Sequence, residues 1–134
     1  MAGVVNIRAA LETALNGMSP ALSTSWENAA FAPVAGTAYQ QVNLLCAQPD
    51  NSEYGRTHRE QGYMQVKLMY PLQIGTSTVA ARAELIRSTF YRGASFVSGG
   101  VTVKVTHTPE VSPGSVEGDR FAVPVKVRFA AFIS

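Results

Sequence analysis

The side chains able to do acid–base, nucleophilic or metal chemistry are few and scattered along the chain. Two histidines, His58 and His107, stand far apart, and neither lies at a metal-ligand spacing from another His or Cys. A zinc site draws three or four ligands from Cys, His and carboxylates; no such set is visible, and no metal is expected. Cys46 is the single cysteine, which excludes an internal disulfide framework. It falls on the apolar side of an alternating run, where a thiol stays neutral and inert, so core packing is its expected role. The carboxylates stand singly: Glu27 beside Trp26, Glu84 within a helical pattern, and Glu110, Glu117 and Asp119 in a late turn-rich stretch. Nothing picks out the facing pair that glycoside chemistry requires. Gly75-Thr76-Ser77-Thr78 could hold an anion on free backbone N–H groups at a helix start. It lacks the Gly-Lys-Ser/Thr ending of a P-loop and reads as ordinary helix capping. No catalysis and no cofactor are expected from these residues.

What remains is recognition. Eight of the eleven cations are arginine, a residue enriched in protein interfaces where lysine is depleted. Glu53, Arg56, His58 and Arg59 fall in a polar segment. Arg82 and Arg87 lie on a helical pattern away from its apolar stripe, and Lys126 and Arg128, like Lys104, alternate with valines on strands. These positions either form solvated faces or meet another protein copy or line a channel, and they are the candidate interface residues. A net charge of +2 is too weak to make nucleic acid the obligatory partner. Charged residues are only 15% of the 134, where about 25% is usual, so something other than charge must cover part of the surface.

The elements that position these residues follow from periodicity. Val4, Ile7, Leu11, Ala14, Leu15 and Met18 recur at helical spacing, with Asn6 as a possible cap and Gly17 where a left-handed terminal residue is wanted. Lacking a continuous apolar core, this first stretch is not read as a secretory signal. No run approaches a membrane span, so no membrane partner is expected. Ser23 to Ala35 reads as a short extended piece around Trp26 and then a turn-rich linker. Tyr39–Ala47 and Gly62–Tyr70 alternate as half-buried strands. Between them, residues 48–61 hold five charges and no apolar period, which predicts a long mobile loop. Val79, Ala83, Ile86 and Phe90 form the stripe of a second helix, closed by Gly93. Val101–Thr106 is a further strand, and the last carries Phe121, Val123, Val125, Val127 and Phe129 on one face. Proline cannot donate to a ladder, so Pro124 places that strand at a sheet edge or on a bulge. The order predicts a single α+β domain over 1–134, with a mainly antiparallel sheet of about four to five strands and two α-helices packed on one face. Its core is rich in Ala and Val, and burial between copies would add stability at roughly 25 cal/mol per Å² of apolar surface.

Several stretches resemble a known family. Trp26-Glu27-Asn28 with Phe31 and Pro33, Gly62-Tyr63-Met64-Gln65-Val66, Tyr70-Pro71, Gly75, the Ala-rich helix ending at Phe90 and the final Val-rich strand are similar to the tail terminators of long-tailed, non-contractile (siphovirus-type) bacteriophages. The similarity runs from about Ile7 to Phe129. The resemblance implies a non-enzymatic virion protein of the neck region, made in the bacterial cytoplasm. It implies a ring, typically of six copies, on the head-proximal end of the tail tube, which stops tube polymerisation and offers a surface to the head. The implied partners are the chain itself, the tail tube protein and the head–tail connector, with DNA only passing through the lumen. Other neck rings, such as head closure or tail completion proteins, are the near alternative. A small oligomeric enzyme or ligand-binding domain, or a nucleic-acid binder, is the more distant one.

Overall fold

The computed structural model describes residues 3–18, 22–26, 32, 36–46, 58–73 and 75–133. In chain order the elements are α1 (Gly3–Asn16), β1 (Ser23–Ser25), β2 (Tyr39–Cys46), β3 (His58–Pro71), α2 (Ser77–Thr89), β4 (Ser95–Ser98), β5 (Val101–Val105), β6 (Glu110–Val111), β7 (Ser115–Glu117) and β8 (Arg120–Ile133). All eight strands join one sheet in the path β1-β2-β3-β8-β5-β4, with β6 and β7 also paired to β8.

The α+β class and the two helices agree with the sequence pattern, but the sheet is larger than the expected four to five strands and is mixed. β1 runs parallel to β2, with Ser23 opposite Tyr39. The strands missed by periodicity are short. β4 is Ser-Phe-Val-Ser, β6 has two residues and β7 three, too few for alternation to be recognised.

The spine is the antiparallel pair of β3 and β8, each of 14 residues and in register from His58↔Ile133 to Pro71↔Arg120. The second side of β8 is served in turn by β7 against Arg120–Ala122, β6 against Val125 and Lys126, and β5 against Phe129–Ala131. β8 is therefore a central strand, which corrects the edge position inferred from Pro124. The proline is accommodated where the second side changes partner. Its carbonyl accepts from Ser112 N at 2.9 Å just past β6. In an antiparallel strand the nitrogen of the same residue points the same way, into the interval between β6 and β7, so the missing donor interrupts no bond to β3.

Alternation then sets the core. Val42, Met64, Val66, Leu68, Tyr70, Val103, Val105, Val123, Val125, Val127 and Phe129 point to one face and form a single cluster with Ile7, Leu11 and Leu15 of α1 and Val79, Ala83, Ile86 and Phe90 of α2. α1 lies over β4 and β5, and α2 over β3. Three local expectations change. α1 begins at Gly3, so Asn6 lies inside it rather than capping it. Gly17 is absent from the positive-φ residues. Thr76 occupies the N-cap of α2 without a side-chain cap bond. Gly93, at φ +93, does supply the left-handed residue past α2. Cys46 has the inward parity but sits at the sheet's corner and is exposed, not buried as expected. His58–Gln61 of the expected 48–61 loop are strand; residues 48–57 lie outside the described residues.

Candidate functional site

The outward face of the sheet gathers the strand-borne cations. Register places Tyr63 opposite Arg128, Gln65 opposite Lys126, and Lys67 opposite Pro124. Lys104 is opposite Ala130, and Glu110 opposite Lys126. Arg59, Lys67, Lys104, Arg120, Lys126 and Arg128 thus share a face with two carboxylates, Glu110 and Glu117. The two ends of this face differ. At one end the cations are already engaged: Lys67 Nζ lies 3.0 Å from Glu117 Oε2. Arg120, buried, stacks on the Tyr39 ring with Cζ 5.0 Å from its centroid and donates to the Thr37 carbonyl. That clamp ties the start of β8 to the start of β2 across β3.

At the other end an open cleft of about 290 Å³ is lined by Arg59, Gln61, Gly62, Tyr63, Thr106, His107, Arg128 and Phe129. One wall is tied by backbone, Thr106 N donating to Arg128 O at 3.1 Å, and by side chains, Thr106 Oγ1 and His107 Nδ1 sharing a hydrogen bond of 2.8 Å. Beside it, Lys126 Nζ stands over the Tyr63 ring, 5.1 Å from the centroid, a cation–π contact worth about 0.5–1 kcal/mol at an exposed site. Two guanidiniums, an imidazole, an amide and a phenol, with no carboxylate among the described lining residues, suit the binding of an oxyanion, because arginine recognises carboxylates with two parallel N–H donors.

The predicted site residues divide accordingly. Arg59 and Arg128 come together, with Lys126 one step along the same face. His58 opens β3, and its side chain lies outside the described residues, as do Glu53 and Arg56. Arg82 is not a surface cation: it is buried on α2, where burial lowers its pKa and the neighbouring Tyr70 opposes that shift. Arg87 is a strut, donating from Nε to Pro109 O at 3.0 Å and from Nη1 to Glu84 at 3.4 Å. Tyr63, Gln61, Thr106 and His107 were missed. The first two lie at alternate positions from Arg59 and could have been found from strand parity, whereas Thr106 and His107 arrive through a pairing of β5 with β8 that no local pattern announces. Among the described residues no group of three or more His, Cys, Asp or Glu could hold a metal ion, and no helix is long and apolar enough to cross a membrane.

Fold and site together define a class: a small α+β protein with a basic cleft on the outward face of its sheet. The model of the phage tail terminator protein family matches residues 6–129, and the chain belongs to that family. It is a structural protein of the phage tail and hence a component of the virion. One solved structure aligns with a TM-score of 0.75 over 96% of this chain and 94% of its own, at 24% identity, and so shares the fold. No curated protein matches.

Proposed function

We propose that this subunit forms a closed ring, of six copies as the family resemblance suggests, on the head-proximal end of the tail tube. There it ends tube polymerisation and presents a surface to the head–tail connector, with DNA passing through the lumen. The observation that carries this reading is the family match over residues 6–129. The basic cleft at Arg59 and Arg128 supports it with a surface suited to a carboxylate on a neighbouring protein. Ring closure needs a head-to-tail contact whose rotation closes.

The test is to purify the chain, measure its mass alone and with tail tube subunits, and image the mixture by negative stain. Closed rings seated on tube ends, with tube length bounded, are expected. A chain that never caps tubes overturns the reading. In infected cells, loss of the chain should give overlong tails; finished tails that fail to join heads would instead assign it to head closure or tail completion.

A further inference from the structure

We infer that the groove between α1 and the free edge of β4 receives the β1 edge of a neighbouring copy, so that the sheet continues from subunit to subunit. The inference rests on the ring reading and names its interface.

Among the described residues the path through the sheet ends at β1 on one side and β4 on the other. β4 and β5 are joined by Gly99 and Gly100, both at positive φ (56° and 82°), with Ser98 opposite Val101. In such a two-residue hairpin the flanking pair bonds to itself and the pattern then alternates. Ser98 and Phe96 therefore bond to β5, a parity that continues with Val105 N donating to Ala94 O at 2.9 Å. Ser95 and Val97 are left with N–H and C=O groups aimed away from the sheet.

Along that edge runs a groove of about 520 Å³ lined by Ala9, Ala10, Thr13 and Ala14 of α1 and by Ser95–Ser98. The small helix residues leave room for the inward side chains of an added strand. Val97 is 66% exposed, as is Val5 on α1 at 69%. A strand lying between a helix and a bare sheet edge is the arrangement of β-augmentation.

Natural edges are usually protected by charge, proline or bulges. β6 and β7, whose outer sides are also open among the described residues, each carry a glutamate, Glu110 and Glu117. β4 carries neither charge nor proline, and β1, Ser23-Thr24-Ser25, carries neither as well. The chain thus supplies its own complement: a second uncharged edge of three residues against four, with side chains small enough for an alanine-lined groove. Two different edges on one chain pair head to tail, the heterologous geometry from which rings close.

The experiment combines native mass with hydrogen exchange on the wild-type chain and two variants. Val97→Pro removes an outward N–H that makes no bond to β5, and Thr13→Trp fills the groove from an exposed helix position. Wild-type assemblies should protect the Val97 and Ser95 amides, which exchange freely in the isolated subunit. Both variants should lose assembly and run at one subunit's mass with unchanged circular dichroism. If Val97→Pro does not fold, Thr13→Trp decides. Added to wild type, Val97→Pro should cap growth and leave short open oligomers, since its β1 edge still docks. Assemblies with unprotected β4 amides, or variants that assemble normally, would overturn this interface and leave the ring standing, whereas a dimer closed by two β4 edges would overturn both. Protection of Val97 in the isolated subunit would overturn it too. A wild type that assembles neither alone nor on tubes would overturn interface and ring together.

Discussion

Tyr70 shows how burial reassigns a polar residue. The residue is 6% exposed on the inward face of β3, and desolvation raises its hydroxyl pKa, against a smaller opposing pull from Arg82. The neutral phenol is the form the fold accepts. Above the ordinary tyrosine pKa of about 10 the unfolded chain gives up this proton while the folded chain keeps it. Stability is therefore complete below that pH and falls as pH rises towards the raised folded value, at up to about 1.4 kcal/mol per pH unit. Tyr70→Phe is expected to flatten this part of the alkaline decline, measured as urea midpoints from pH 8 to 11. At this scale the sequence was a partial guide. Val79, Ala83, Ile86 and Phe90 lie buried where the stripe placed them, yet Arg82 sits beside them on the same helix and is buried as well, because an arginine adjoining an apolar stripe can lay its stem along the core. Cys46 failed in the opposite sense: parity names a face, and it cannot say that the face has run out at a corner.

Among the elements, β3 depends on a glycine for reasons of space. A Cβ on Gly62 would run into the Leu45 carbonyl oxygen and the Cys46 Cα of β2, so Gly62→Ala must push the end of β2 away. The expected cost is about 1–3 kcal/mol, read as a melting temperature lower by about 5–10 °C. Val125, 0% exposed in the middle of β8, is a sterner case. Val125→Asp puts an unpaired carboxylate among Val42, Val66 and Val111 in one cross-strand row. The expected loss exceeds about 4 kcal/mol, enough to empty the soluble fraction. Normal folding of this variant would reverse the assigned strand faces. β2, β3, β5, β8 and both helices were legible because each is long enough for its period to repeat. β4, β6 and β7 were not, because they exist by pairing: β6 and β7 are strands only in that β8 offers them an edge. Pro124 misled for a related reason, since one residue cannot reveal that its strand changes neighbours beside it.

For the molecule as a whole, the outward sheet face separates stability from the proposed assembly. Arg59 and Arg128 line the cleft and belong to no part of the buried cluster, so replacing both with alanine is expected to leave folding within about 0.5 kcal/mol per site while tube capping drops. Thermal melts and capping counts on the same preparation check both halves, and undiminished capping would remove this cleft from the proposed interface. The proposed ring and its partners rest on the family resemblance alone, because local sequence pattern carries no trace of a neighbour. The β3–β8 spine has one more consequence, which concerns time. Its partners lie far apart along the chain, Met64 with Val127 and Leu68 with Val123, and β5, β6 and β7 all lean on the same late strand. Pairings so distant in sequence must close long loops before any contact rewards them, which places such topologies among the slower folders. Until residues 120–133 have been made, β3, β5, β6 and β7 all lack their common partner. The nascent chain therefore waits with its apolar faces uncovered until β8 threads between β3 and the short strands opposite.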